Sequence, residues 1–242
     1  MDIEKIAVDY DRDGYVRLRG FVSADRIARI KTRIEKYHRD ILPKLPPDDY
    51  VLESDGKSVR NLWRMDLYDD YFLNMSREAF MIELVSTLIH GEATLMHAET
   101  FNKPAGVGSA VPCHQDNGYF NLAPPDVLTV WIALDAATVE NGAMYYLPGS
   151  HHKLLPHKAS GVKGNSLGLI DPPDPDPSRE FCGTLEPGDA LIHHCQLIHR
   201  SEPNRSNRPR AALLFVYQGA HTRVDEEGKR RYRKALAAVL KK

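Results

Sequence analysis

The chain has 242 residues, 42% of them hydrophobic and 27% charged, with a formal net charge of −1. That length fits one large domain or two small ones and can bury a substantial core without disulfide staples. The balanced charge offers no global field to nucleic acid or an acidic membrane, and no apolar run approaches the ~18 residues of a membrane span. Met1–Lys5 lacks the pattern of a signal peptide. Cys113, Cys182 and Cys195 are odd in number and match no zinc spacing, which points to a reduced, cytoplasmic setting.

Tyr15–Val22 alternates apolar and polar residues, as a half-buried strand does. Ser23 then caps a helix predicted over 24–41, with Ile27, Ile30 and Ile34 at helical spacing and Pro43, Pro46 and Pro47 beyond its end. Residues 48–75 show no clean period. A second helix is predicted from a Ser76 cap to Ile89, with Phe80, Leu84 and Leu88 on one stripe and Gly91 as its stop. After Gly91 the pattern changes to strands, first over 94–102 and then over 126–135. On the latter, Leu128, Val130, Ile132 and Leu134 share one face while Thr129, Trp131 and Ala133 share the other. Asn141-Gly142 is a favoured hairpin dipeptide and is expected to turn that strand back through Ala143–Leu147. Residues 156–180 are rich in Pro, Gly, Asp and Ser and read as a long insertion, either a lid or a mobile loop. Strands follow at 189–198 and 210–218. A helix from Asp225 to Leu240 closes the chain, with the basic run Lys229–Lys234 on its solvated face.

No internal repeat and no linker divides this pattern. A single domain over 1–242 is expected, with a helical part over about 1–92, a β core over about 93–220 and the last helix over about 225–241. Helices followed by many antiparallel strands predict a mainly β, α+β architecture with a sandwich or barrel core.

Two stretches carry the chemistry. In Cys113-His114-Gln115-Asp116 the histidine and aspartate are two apart, so on an extended segment both side chains point the same way. A third ligand must come from a distant strand, where His193, His194 and His199 compete. His199 ends an apolar strand and precedes the polar turn Arg200-Ser201-Glu202-Pro203-Asn204. Two histidines and one carboxylate on one face of an iron are the ligand set of non-haem Fe(II) oxygenases. Arg210, close behind, suits an anionic co-substrate, because its planar fork matches a carboxylate bidentately.

The order and spacing of several further motifs identify a relationship. They are Asn102-Lys103-Pro104, His114-Gln115-Asp116-Asn117-Gly118-Tyr119, Thr129-Val130-Trp131-Ile132-Ala133-Leu134-Asp135, Asn141-Gly142-Ala143-Met144, Leu147-Pro148-Gly149-Ser150-His151, Gly188-Asp189 and His199-Arg200-Ser201-Glu202-Pro203-Asn204 with Arg210. From about Val16 to Gln218 the chain resembles the phytanoyl-CoA dioxygenase family of Fe(II)/2-oxoglutarate oxygenases. The resemblance implies a double-stranded β-helix, a cupin-like jelly roll, with helices on one side. It implies that His114, Asp116 and His199 bind Fe(II), and that Arg210 and Ser201 grip the distal carboxylate of 2-oxoglutarate. Arg208 is the nearby rival to Arg210, which is preferred because it opens the apolar strand Ala211–Phe215. Trp131, Thr129 and His97 are expected beside the co-substrate. Glu99, Asn117, Tyr119 and Arg64 are expected towards a small-molecule substrate. Because Asp116 is retained, a hydroxylase using O2 is favoured over a halogenase. The alternative is a metal-binding cupin-like barrel of no or different reactivity. A zinc hydrolase is disfavoured, since no His-Glu-x-x-His helix is present. Nothing in the pattern sets an oligomeric state.

Overall fold

The computed structural model describes residues 2–162 and 164–240. The chain runs α1 (Ile3–Asp13), β1 (Tyr15–Leu18), α2 (Ala24–Asp40), β2 (Tyr50–Leu52), β3 (Val59–Leu62), α3 (Asp70–Ser76), α4 (Ala79–Ile89), β4 (Ala93–Lys103) and β5 (Val111–His114). Then come α5 (Asn117–Phe120), β6 (Leu122–Ala123), β7 (Val127–Ala133), β8 (Met144–Tyr146), β9 (His157–Val162), β10 (Asn165–Leu169) and β11 (Phe181–Gly183). The last elements are β12 (Ala190–His194), β13 (His199–Ser201), β14 (Arg210–Gly219), β15 (Arg223–Val224) and α6 (Glu226–Leu240).

Among the described residues, two antiparallel sheets form the core. The larger has the order β1-β12-β7-β14-β4-β3-β2 and the smaller β11-β8-β13-β5. Side-chain alternation on the central strands divides the interior in two. On β7, Leu128, Val130 and Ile132 face outward with Ile192, Leu213, Phe215 and Tyr217, and they pack against buried residues of the helices such as Ile27, Ile30, Leu84 and Leu88. Trp131 and Ala133 face inward with Leu191, Ala212 and Leu214, against Met144 and Tyr146 of the smaller sheet. A full slip of β7 by one residue would exchange these faces, and each large apolar side chain lost from burial costs about 1.5–3 kcal/mol. The expected division of faces on 126–135 and the jelly-roll architecture are therefore both found.

Several local expectations are corrected. α1, which the sequence reading passed over, is capped by the Asp2 side chain and closed by Gly14 at φ 78°. Ser76 does not cap a helix. It ends α3, its hydroxyl donates to Leu73 O, and α4 starts after Glu78. Phe80 is 41% exposed, because the buried stripe of α4 runs instead through Met81, Leu84, Val85 and Leu88. The helix stops at His90, which adopts the left-handed conformation expected of Gly91. The irregular stretch 48–75 contains β2 and β3, too short to show a period, and β3 pairs with β4 at the edge of the larger sheet.

Asn141-Gly142 does not fold β7 into a hairpin with β8. β7 pairs with β12 and β14, whereas β8 pairs with β11 and β13, so the turn carries the chain between sheets. Gly142 is required there by crowding as well as by φ 88°, since a Cβ would lie 2.5 Å from Glu202 O. Residues 156–180 are also more ordered than their composition suggests. β9 and β10 pair as an antiparallel hairpin, and Gly168 packs on Pro112 and Cys113 of β5. The Tyr119 hydroxyl ties that hairpin down, donating to Leu167 O at 3.0 Å and accepting from Leu167 N at 3.1 Å.

Candidate active site

The space between the sheets holds a cavity of about 400 Å³. Its walls come from both sheets: β4, β7, β12 and β14 on one side, β5, β8 and β13 on the other. His114 and His199 are cross-strand partners on β5 and β13, so backbone pairing alone brings residues 85 positions apart into contact. Asp116 follows His114 at the end of β5. One ligand atom from each of His114, Asp116 and His199 lies within 4.8 Å of the others, the only such metal-ready group among the described residues. Asp116 Oδ1 is 3.4 Å from His114 Nε2 and 3.6 Å from His199 Nε2.

The protonation pattern suits a divalent metal. His114 Nδ1 donates to Pro112 O at 2.7 Å and His199 Nδ1 to Leu197 O at 2.9 Å. Carbonyls only accept, so both rings carry a proton on Nδ1 and turn Nε2 to the shared centre. Burial and the neighbouring His114 push His199 down to about 3, so its ring is neutral at ordinary pH. Burial alone would raise Asp116, but the ring of histidines around it, His199 first and then His114 and His193, holds its carboxyl well below the usual carboxylate range. Neutral imidazoles and an ionised carboxylate are what metal coordination requires.

A second set of groups lies at the Arg210 end of the cavity. Arg210 is 1% exposed, and its guanidinium sits 5.0 Å from the Trp131 ring and 5.7 Å from that of Phe101. It donates to Gly142 O at 3.3 Å, while its Nε has no partner among the described residues. Burial, then repulsion from Arg60, pushes its pKa down to about 9. Buried Lys103, whose ammonium donates to Ser109 O and Glu202 O, is pushed down to about 6 by burial and by Arg210 and Arg60. Arg60 has Glu53 as a counter-ion at 3.3 Å. Ser201 Oγ, buried on β13, likewise has no partner among the described residues. A buried cation with no ion pair among the described residues, lining the same cavity as an unused hydroxyl, is a poor resting arrangement and a ready anion receptor.

The cross-strand register arranges the remaining expected residues in tiers. His193, Thr129, Val216 and His97 form one row across the larger sheet, and Leu191, Trp131, Leu214 and Glu99 form the next. Trp131 thus stands with Arg210, whereas Thr129 and His97 stand with the row whose His193 touches Asp116. His97 lies 3.5 Å from Glu99, and this pairing raises its pKa against the lowering effect of burial. Arg64 lines the mouth, ion-paired with Asp49. Tyr119 lines the wall with its ring while its hydroxyl serves Leu167. Asn117 is the exception: both of its amide atoms pair with the backbone of Leu122, and it lies outside the cavity lining. The sequence reading did not reach Trp63 and Phe120, which also line the cavity, whereas Phe101 lines it as its shared parity with His97 and Glu99 implies. Alternation on β4 carries the signal for Phe101, two residues on from Glu99. No period marks Trp63.

The profile of the phytanoyl-CoA dioxygenase (PhyH) family matches residues 10–212. The chain belongs to this family. A probable alpha-ketoglutarate-dependent hypophosphite dioxygenase of Stutzerimonas stutzeri is 28% identical over 88% of this chain and 77% of that protein. The L-proline trans-4-hydroxylase of Streptomyces griseoviridis is 26% identical over 87% of this chain and 84% of its own length. The fold matches a crystal structure of EctD from S. alaskensis with 2-oxoglutarate and 5-hydroxyectoine. Its TM-score is 0.77 at 22% identity, covering 91% of this chain and 77% of EctD. The protein is a 2-oxoglutarate-dependent non-haem iron dioxygenase of the PhyH family. Among the described residues no helix is long and apolar enough to cross a membrane.

Proposed function

We propose that His114, Asp116 and His199 hold Fe(II), and that Arg210 and Ser201 hold the distal carboxylate of 2-oxoglutarate, for hydroxylation of a C–H bond in a small molecule. The observation that carries this reading is the pairing of two incomplete sites in one cavity. Three ligand atoms converge on one point, and in the same cavity the buried Arg210 Nε and Ser201 Oγ have no partner among the described residues. When bound, Fe(II) and 2-oxoglutarate supply O2 activation and hydrogen-atom removal, with succinate and CO2 as by-products.

The chain's own residues do the rest. Pro112 and Leu197 carbonyls fix the ring orientation of the two histidines, so the ligands meet the metal without reorganising. Trp131 and Phe101 flank the Arg210 guanidinium and exclude water, which strengthens its attraction for a carboxylate. His97 and Thr129, on the tier nearest Asp116, and Glu99, on the next, face the substrate and orient its polar groups, with Arg64 and Trp63 also lining the space. Tyr119 acts on this space by holding the β9–β10 hairpin. The unpaired Cys113, Cys182 and Cys195 agree with a reduced, cytoplasmic setting.

The test is anaerobic titration of apoprotein with Fe(II) and then 2-oxoglutarate, read by visible absorption, followed by a substrate screen on succinate release. A charge-transfer band requiring both additions is expected. Tight metal binding with no response to 2-oxoglutarate would refute the reading and leave a metal-binding barrel.

A further inference from the structure

Asp116 has two oxygens, and the metal-facing one is only half of its environment. Oδ2 lies 3.2 Å from Nε2 of His193, on β12 of the opposite sheet. His193 Nδ1 lies 2.9 Å from the Tyr146 hydroxyl on β8. His193 is 2% exposed and Tyr146 fully buried, so the contact between them is closed to bulk water. The direction of the chain follows from donor chemistry. A carboxylate only accepts, so His193 Nε2 carries a proton and donates to Oδ2, with the Tyr146 hydroxyl donating to Nδ1.

We propose that His193 is a positioning residue for the iron site: it pins Asp116 through Oδ2, so that the carboxylate serves the metal through Oδ1 alone, and Tyr146 sets its ring. Three observations support this. Both expected imidazole ligands address the same oxygen, Oδ1, while His193 alone addresses Oδ2. Asp116 sits two residues beyond the end of β5, outside the strand pairing that holds His114. The bond also crosses from one sheet to the other, so it fixes the carboxylate against a strand that β7 and β1 hold in register on both sides. An unpinned carboxylate can swing and bind through both oxygens, filling a position that the reaction needs open.

This inference rests on the iron reading, and the experiment separates the two. Apoprotein is titrated anaerobically with Fe(II), and with Co(II) for its d–d absorption spectrum, in wild type, His193→Leu and His193→Gln. Wild-type binding tests the metal site itself, and the differences among variants test the pin. Removing an outer partner of a metal ligand typically weakens affinity about 10- to 100-fold. That loss is expected for His193→Leu, together with an altered Co(II) spectrum. His193→Gln, which restores an N–H donor at similar reach, is expected to recover most of both. Should His193→Leu fail to fold, Tyr146→Phe removes only the hydroxyl and is expected to shift the Co(II) spectrum in the same direction. Equal affinities and identical spectra in wild type and the folded variants would overturn the proposal, as would His193→Gln behaving like His193→Leu.

Discussion

Replacing Arg210 with methionine separates two effects that one side chain combines. In the ligand-free protein the guanidinium is buried with a carbonyl but no carboxylate, and burial and Arg60 lower its pKa to about 9. At 1.36 kcal/mol per pKa unit, that displacement corresponds to roughly 5 kcal/mol against the charged form. Methionine fills the slot between Trp131 and Phe101 without the charge, so the empty variant should melt no lower than wild type. Binding behaves oppositely. Truncating one partner of a buried, hydrogen-bonded charge pair costs about 2–5 kcal/mol, or at least roughly 30-fold in affinity. The assay is thermal denaturation with Mn(II) in place of iron, with and without 2-oxoglutarate. At 100 times its Kd a ligand adds about 2.7 kcal/mol, or ~5–10 °C for a chain of this size. Wild type should show that shift, and Arg210→Met should show no more than about a third of it at the same concentration. An unchanged shift in the variant, or a loss of several degrees in its empty form, would refute the reasoning.

Three other outcomes are expected. Ser201→Ala, which removes one neutral hydroxyl, should raise the KM for 2-oxoglutarate by about 5-fold, corresponding to ~1 kcal/mol, with kcat little changed; an unchanged KM would remove Ser201 from the site. His194 is pushed down to about 4 by burial and by His151, below an ordinary value of 6.5, so the unfolded chain takes up its proton first. Its contribution is full above pH 6.5 and falls away towards pH 4 by about 3 kcal/mol, and urea titrations should show a flatter acid loss in His194→Gln. Tyr119→Phe deletes both hydroxyl contacts to Leu167, and limited proteolysis should then cut faster within the β9–β10 hairpin; equal cutting rates would show that the hairpin is held by other contacts.

What the sequence made legible, and what it did not, follows from how local each cause is. The two faces of β7 were readable because alternation is a property of the strand itself. His114 and Asp116 were readable by the same parity, and Arg210 by its place at the head of an apolar strand. Errors arose where one motif serves two structures. Ser76 has the chemistry of a helix cap but lies one short turn earlier, inside the end of α3. Asn141-Gly142 has hairpin chemistry, yet the partner of β7 comes from β12 and β14, far along the chain. The β9–β10 hairpin was hidden by its glycines and by the prolines after it, and β2 and β3 by being three and four residues long. The role of His193 depends on tertiary contact, since the doublet His193-His194 does not say which ring faces the metal.

The edge formed by β2 and β3 has a consequence for how this scaffold changes its task. These strands join the larger sheet through two registered pairs with β4, Asn61 with Phe101 and Leu62 with Thr100, and a hydrogen bond from Asn102 to Val59 O. Yet their flanks carry Asp48, Asn61, Trp63 and Arg64 into the cavity mouth. The residues assigned to iron and 2-oxoglutarate all lie beyond residue 92, on other strands. One part of the cavity lining therefore occupies a length of chain separable from the residues assigned to iron and 2-oxoglutarate, while His97, Glu99 and Thr129 stay with the latter. A graft of residues 48–66 from another family member would replace that part of the cavity lining in one continuous piece while leaving the strands beyond residue 92 as they are.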